Sequence, residues 1–365
     1  MENERRAWIF LNHIADLGPI RFHRLLQFAR SAEAILELSV SGLQAAEVSL
    51  DLAEKWHHTF RDPAQQRWLE AEMQRLDRGT CQVVTELDEG YPGLLRELLD
   101  RPPVLYYKGR WHLPESGVVG VVGTRRPTPY GLSVTERLVR ELSQQRITTI
   151  SGLASGIDAC AHETALKSRG QTVAVLGCGL GQTYPRENKA LQEQMAEKGT
   201  LISEFPYETE PMAGHFPRRN RLISGLSQGV VVIEAGERSG ALITARYAVE
   251  QGRDVFAVPG SVFHPESWGC HRLIKEGAKL VAQANDILEE LKLPKKVESP
   301  VAAATEFPLS ALEQHIYNLV SEEPLSVDEI AHRSAQGFDQ VTNCLLSLEL
   351  KGILRHLPGQ RYARS

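Results

Sequence analysis

The chain has 365 residues, enough for two or three domains, and its apolar fraction of 42% and charged fraction of 24% are typical of a soluble globular protein. Its formal net charge of −5 excludes an overall basic surface, so a nucleic-acid site could only be a local patch. Scattered cysteines without C-x-x-C spacing argue against a zinc site or a disulfide framework and favour a reducing, cytoplasmic location. We expect no signal peptide, because the sequence opens with charged residues, and no membrane segment, because no apolar run approaches ~20 residues.

Residues 1–78 predict a helical N-terminal domain. Apolar residues recur at helical spacing on both sides of the break Leu17-Gly18-Pro19. The side chains expected to point inward are Trp8, Leu11, Ile14, Leu17, Phe22, Leu25, Leu26 and Phe28. This order is similar to a helix-hairpin-helix (SAM-like) unit, whose turn amides can hold a phosphate. The turn lacks the second glycine of that motif, so we favour a purely structural bundle.

Residues 79–292 predict a Rossmann-like domain, with a lead-in segment over 79–116 that holds two short strands. From residue 117 onward, apolar runs rich in β-branched residues alternate with amphipathic helices. The runs predict strands at 118–122, 148–151, 172–176, 200–203, 230–234, 255–258 and 279–281. Such alternation is typical of a doubly wound, mostly parallel α/β sheet with helices on both faces.

Residues 293–308 are rich in proline and charge without periodicity and predict a linker. Residues 309–365 predict helices at 310–321, 326–333 and 339–351, followed by a hairpin, which together are typical of a winged helix. The third helix carries Asp339 and Glu349 but only one lysine. We therefore favour a structural or protein-contact role for this domain over DNA contact.

Loops at the carboxyl ends of the predicted strands carry the candidate ligand residues, because open parallel sheets bind ligands at that edge. Three of them combine glycines with hydroxyl or basic side chains, which suits backbone amides and arginines that hold phosphates. A further segment, residues 216–221, is predicted to be a basic loop, and its aromatic ring could stack on a base. The candidates are Gly123, Thr124, Arg125, Arg126, Ser151, Gly152, Gly156, Gly177, Gly179, Phe216, Arg218, Arg219, Asn220, Arg221, Ser239 and Thr244.

Other interpretations of these loops are less well supported. The arginines could instead pair with nearby acids such as Glu204 and Glu234. None of these loops contains GxxxxGK[ST], a complete G-x-G-x-x-G or a nucleophile elbow. Asp158 could orient His162 as a base, but we expect His162 to be a core or surface histidine. The sequence therefore predicts no catalytic residue, metal or cofactor, and a row of phosphate sites suits a single strand better than one nucleotide or a duplex.

The loops resemble the DNA-processing family known as DprA or Smf. The blocks that carry the resemblance lie at 123–131, 151–162, 177–188, 203–206, 216–221, 239–245, 252–260 and 269–278. The resemblance implies a homodimer that binds and protects single-stranded DNA and helps load RecA recombinase during natural transformation. It also implies that Arg125 and the 218–221 segment hold phosphates, that Phe216 stacks, and that the glycines with Ser239 and Thr244 admit the strand.

Two alternatives differ in class from this hypothesis. A nucleotide phosphoribohydrolase is also Rossmann-like, but its PGGxGTxxE loop would fall near residues 234–244, which lack the paired glycines and the trailing glutamate. A purely structural adaptor would have no affinity for DNA.

Overall fold

A computed structural model describes residues 2–294 apart from 112–113 and 115–116, and residues 309–364 apart from 322–323 and 358. The predicted linker therefore lies almost wholly outside the described residues. The chain divides into two compact units, Met1–Lys295 and Lys296–Ser365.

The described N-terminal residues are helical. They form α1 (Glu2–His13), α2 (Pro19–Ala29), α3 (Ala32–Leu36), α4 (Val40–Ala45), α5 (Leu50–Arg61) and α6 (Pro63–Asp77). Pro19 opens α2 at a position where its missing N–H costs nothing. The predicted inward stripe is buried from Trp8 to Leu25, but Phe28 is 48% exposed because it lies off the face shared by Phe22 and Leu25.

These helices pack onto the sheet and share one apolar core with it. Trp8 and Phe10 belong to the same buried cluster as Tyr106, Leu176 and Leu201, which come from the sheet and the loops that follow it. The helical region and the sheet therefore form parts of the first unit.

The described strands of this unit form one nine-stranded sheet. They are β1 (Gln82–Thr85), β2 (Val104–Gly109), β3 (Val118–Val122), β4 (Thr148–Ser151), β5 (Thr172–Val175), β6 (Thr200–Ser203), β7 (Gly229–Val232), β8 (Asp254–Ala257) and β9 (Lys279–Leu280). Their order is β1-β2-β6-β5-β4-β3-β7-β8-β9. Strands β3 to β9 are parallel to one another, whereas β2 runs antiparallel to β6 and β1 antiparallel to β2.

Alternating residues of the central strands enter separate cores on the two faces of the sheet. Val119 and Val231 pack on one side, and Val118 and Val230 on the other. The covering helices are α7 (Gly93–Arg96), α8 (Pro129–Gln144), α9 (Ile157–Lys167), α10 (Lys189–Lys198), α11 (His215–Gly225), α12 (Ala241–Glu250), α13 (Trp268–Lys275) and α14 (Ala284–Glu290). The predicted doubly wound, mostly parallel α/β sheet is confirmed.

One local prediction is wrong: the basic segment 216–221 is not a loop. It forms the first turns of α11, which begins at His215. Pro217 is tolerated there because the first N–H groups of a helix have no partner within the helix. The arginines of this segment therefore point to different sides of a helix.

The second unit is a winged helix, as predicted. It contains α15 (Ala311–Leu319), β10 (Leu325–Ser326), α16 (Val327–Ser334), α17 (Phe338–Leu350), β11 (Leu354–Leu357) and β12 (Arg361–Arg364). Its strands pair in the order β10-β12-β11. Ser310 and Ser326 cap α15 and α16 through reciprocal hydrogen bonds with Glu313 and Glu329.

The described ranges contain neither a candidate membrane-spanning helix nor a candidate metal site. None of the helices there combines the length and the apolarity that a bilayer span requires. No described group of three or more His, Cys, Asp or Glu side chains is arranged to hold a metal ion.

Candidate nucleic-acid interface

The carboxyl edge of the sheet opens where the strand order reverses. The chain leaves β3 toward β4 on one side, whereas β7 lies on the other side of β3 and leads to β8. Loops that leave neighbouring strands in opposite directions create a crevice, which is where doubly wound sheets bind ligands. A cleft of about 760 Å³ lies at this point, and we name it the central cleft. Its polar lining includes Thr124, Arg125, Asn220, Arg238, Ser239 and Thr244.

A smaller cleft of about 240 Å³ adjoins the central cleft above β4 and β5, and we name it the flanking cleft. Gly152 and Gly177 line it, together with Tyr184. Both clefts share Arg125, Phe216 and Arg219, so they form one continuous surface along the edge.

Arg125 and Arg238 are the exposed cations of the central cleft. Neither guanidinium has an ion pair or hydrogen bond with any other described residue. Arg125 instead lies over the ring of Phe216, 5.9 Å from its centroid. Arg238 was not among the residues predicted from the sequence. Its position in the glycine-containing loop after β7, next to the strand-order reversal, could have identified it as a candidate. Both side chains are free to meet an anion.

Arg219 lines the floor of both clefts but is largely buried. It is 5% exposed and donates to the carbonyl oxygens of Gly152, the residue after β4, and of Val175, the last residue of β5. Asp158 faces it and accepts from the amides of Gly152 and Ala154 at 3.1 and 3.4 Å. Burial raises the pKa of Asp158, and the charge of Arg219 partly opposes that rise. Burial also lowers the pKa of Arg219. This pair ties the ends of two strands together below the cleft floor.

Arg218 and Arg221 lie on another side of α11 and meet at one acid. Their Nη2 atoms lie 2.8 and 2.6 Å from Oε2 of the buried Glu204, and Arg221 also approaches Asp100 at 3.3 Å. The sequence alternative of pairing with Glu204 is confirmed for both. The expectation that Arg221 holds a phosphate is corrected, because a side chain that is buried and paired cannot reach an external strand.

Asn220 and the hydroxyl candidates occupy varied positions. Asn220 Oδ1 accepts from Arg219 Nε at 3.1 Å, and its side chain lines the central cleft. Ser151 is buried and donates to the Val121 carbonyl at 2.6 Å. Among the described cleft walls, the predicted residues that do not contribute are Arg126, Ser151, Gly156, Gly179, Arg218 and Arg221.

The glycines make room for other parts of this chain. A Cβ atom at Gly152 would lie 2.5 Å from the Arg219 guanidinium, and one at Gly177 would lie 2.7 Å from the Phe216 ring. A Cβ atom at Gly123 would clash with Ile157, and one at Gly156 would clash with the Thr124 carbonyl. At Gly179 it would clash with the carbonyls of Pro206 and Tyr207. The glycines thus shape the clefts by letting protein groups approach closely.

An aromatic pair forms one wall of both clefts. The rings of Tyr184 and Phe216 lie 4.9 Å apart at 35°, and Tyr184 is 41% exposed. Flat, partly exposed rings beside cationic side chains can stack on nucleobases.

His162 and Asp158 do not form a catalytic pair. His162 Nδ1 hydrogen-bonds Thr172 Oγ1 at 2.7 Å, whereas Asp158 accepts from backbone amides. Burial, with the charge of Arg219 adding to it, lowers the pKa of His162 to about 3, so the ring is neutral. The expectation of a core histidine is confirmed. Glu234, in the segment where a phosphoribohydrolase would need its acid, is buried and accepts from Thr128 N and Oγ1 at 2.9 and 2.5 Å.

Comparisons with known proteins agree with this architecture. The family model of DNA recombination-mediator protein A matches residues 82–292, and that of the DprA winged helix domain matches residues 300–360. Protein Smf of Synechocystis sp. is 35% identical over 407 aligned residues, which cover 99% of each chain.

Two solved structures are similar to the chain. DNA processing protein A from Streptococcus pneumoniae has a TM-score of 0.58 and 37% identity, covering 76% of this chain and 98% of its own. The protein from Helicobacter pylori, whose structure concerns a single-stranded DNA binding mode, has a TM-score of 0.53 and 32% identity, covering 59% of this chain and 98% of its own.

Proposed function

Because this chain belongs to the DNA recombination-mediator protein A (DprA/Smf) family, we propose that it binds and protects single-stranded DNA along the carboxyl edge of its sheet. One observation carries the proposal. On a chain of net charge −5, Arg125 and Arg238 converge on the cleft at the strand-order reversal without an acidic partner among the described residues. Two unneutralised arginines at such a crevice favour phosphate as the ligand.

The size of the edge suits several nucleotides. Strands β5, β4, β3, β7 and β8 are neighbours, and a spacing of ~4.8 Å places the outer two roughly 19 Å apart. Successive nucleotides rise by only ~3.4 Å along one strand of a stacked duplex. A polynucleotide laid across these loops therefore presents several phosphates to the clefts.

A single strand fits better than a duplex. The rings of Tyr184 and Phe216 can stack only on bases that are free to turn toward them. In the second unit, α17 carries an acid in its first turn and lacks the basic face that reads a major groove.

The proposed roles follow the positions of the side chains. Arg125 and Arg238 hold phosphates, with Arg126 as a further exposed cation next to them. Thr124, Asn220, Ser239 and Thr244 offer polar groups within the central cleft. Phe216 and Tyr184 stack on bases, while Arg219 and Asp158 hold the floor.

We extend the proposal to the partners that recombination mediation requires. The family description names a recombination mediator. On that basis we propose that the chain acts as a cytoplasmic homodimer and helps load RecA recombinase onto the bound strand during natural transformation. RecA turnover on oligonucleotides covered by a single-strand-binding protein tests the mediator role. The chain should shorten the lag before RecA ATP hydrolysis, and an unchanged lag would remove RecA from the proposal.

The binding proposal is tested by titrating labelled thymidine oligonucleotides of increasing length at several salt concentrations and following fluorescence anisotropy. We expect a length threshold and a steep loss of affinity with salt. Arg125→Ala should weaken binding and reduce the slope of log K against log[salt] by about 0.7, the value for one phosphate contact on a single strand.

Arg61→Ala is the matched control, because Arg61 is an exposed arginine on α5 outside both clefts. It should leave affinity and slope unchanged. Equal affinity for duplex and single strand, or equal effects of the two substitutions, would contradict the proposal.

A further inference from the structure

A third cleft of about 660 Å³ opens beside the central cleft, and we name it the outer cleft. Its walls include Pro129, Tyr130, Pro259 and His264. The loop after β8 continues past it and carries Phe263, which is 89% exposed, and the helix α13 that follows begins with Trp268, which is 45% exposed. Exposed apolar side chains that cluster mark interaction sites, whereas single ones need no explanation.

The protein holds this loop in a defined shape. The Tyr130 hydroxyl donates to the Pro259 carbonyl at 2.6 Å, and His271 Nε2 hydrogen-bonds the Gly260 carbonyl at 2.9 Å. At its far end, Gly269 N donates to the Ala235 carbonyl at 2.7 Å. The exposed rings are therefore presented from an anchored loop.

The outer and central clefts are parts of one surface. The loop after β3 lines the central cleft with residues 122–125 and the outer cleft with residues 128–130. The segment after β7 does the same, with Glu234 in the outer cleft and Arg238 in the central one. A strand held by Arg125 and Arg238 has the outer cleft as its next neighbour along the edge.

The chemistry of the outer cleft differs from that of the central cleft. Among the described residues, no lysine or arginine lines it, and the carboxylate of Glu234 lies in its wall, so phosphate is disfavoured there. Its proline rings, the Tyr130 ring and the His264 ring suit a flat, uncharged group.

We propose that the outer cleft, together with Phe263, which lies between the lining residues Ser261 and His264, binds a nucleobase of the same single strand whose phosphates occupy the central cleft. This inference rests on the proposed function. Phe263 supplies a ring on which the base can stack. Trp268 lies five residues further along the chain, so its fluorescence should change when a base is bound. A protein segment docked on the same rings is the competing occupant, and it predicts no dependence on bases.

The test uses the full chain and the shortest thymidine oligonucleotide that binds with full affinity, so that the strand cannot shift its register. Abasic sites are placed at each position in turn. With wild-type protein, one position should weaken binding by roughly 5- to 20-fold, the lower part of the range for losing one stacked base. Phe263→Ala should weaken the intact oligonucleotide by a similar factor and then show no further loss at that position.

Phe28→Ala is the matched control, because Phe28 is 48% exposed on α2 and lies outside the three clefts. Oligonucleotide binding should also change tryptophan emission, and Trp268→Phe should remove that change. If Phe263→Ala and every abasic position bind as the wild type while Arg125→Ala still weakens binding, the base site is overturned and the strand-binding proposal stands. If the wild type binds no oligonucleotide, both fall.

Discussion

Replacing Arg219 by alanine should destabilise the sheet unit itself, because this arginine neutralises a buried acid. Its guanidinium faces Asp158 and satisfies the carbonyl oxygens of Gly152 and Val175. Alanine would leave the carboxylate without a counter-charge and both carbonyls without a donor. Removing the charge that opposes a buried carboxylate, together with the donors to two buried carbonyl groups, costs about 3–5 kcal/mol. For a unit of this size, 1 kcal/mol lowers Tm by about 2 °C, so we expect a drop of roughly 6–10 °C.

The effect should depend on pH in a definite direction. Burial raises the folded-state pKa of Asp158 above its ordinary value of 3.8, and Arg219 opposes that rise. An acid with a raised folded pKa contributes stability below its unfolded pKa and loses that contribution as pH rises through the folded pKa. Without Arg219 the folded pKa rises further, so the variant loses stability over a wider pH range above 3.8 than the wild type does. The difference in Tm between wild type and variant should therefore grow from pH 5 to pH 8.

Thermal unfolding followed by circular dichroism at both pH values measures this. Arg218→Ala is the matched control: it changes the neighbouring arginine, whose side chain is 40% exposed and whose partner Glu204 keeps Arg221. It should cost under about 1 kcal/mol. Asp158→Asn should restore part of the stability lost in the Arg219→Ala background at pH 8.

A contrary result is easily recognised. If Arg219→Ala melted like the wild type at pH 8 but lost about 0.7 in salt slope, Arg219 would be an open phosphate ligand. The reasoning from its burial would then be refuted.

Two further outcomes test other parts of the chain. Gly177→Ala should displace the Phe216 ring, because the new Cβ atom would lie 2.7 Å from it. The variant should bind oligonucleotides about 5-fold or more weakly, with an unchanged dependence of affinity on salt. Anisotropy titrations equal to those of the wild type would contradict this. In the winged helix, Lys351 and Ser347 hold the pKa of Glu313 at about 2, so this carboxylate contributes stability above pH 4.5 that is lost as pH falls toward 2. Lys351→Met should raise the pH at which residues 311–364 lose protection in hydrogen exchange measured by mass spectrometry, and an unshifted profile would count against the pair.

The sequence alone determined the architecture and the edge of the sheet at which the candidate ligand loops meet. Runs such as those of β3 and β7 are apolar throughout because both faces of a parallel strand are buried, so composition identifies them without tertiary knowledge. Loops at the carboxyl ends of parallel strands must share one edge, which placed Arg125 and Ser239 together. The winged helix was similarly readable from its capping serines and helical periods.

Only the tertiary structure decided what each arginine of α11 does. Arg218 and Arg221 reach Glu204, 14 and 17 residues earlier in the chain, whereas Arg219 reaches Gly152, 67 residues away. Adjacent residues of a helix diverge by about 100°, so neighbours in sequence enter different surroundings. The local sequence shows which side chains carry charge. Whether such a side chain is buried and paired depends on chain segments that folding brings beside it, and this decides whether it can bind phosphate or forms a structural ion pair.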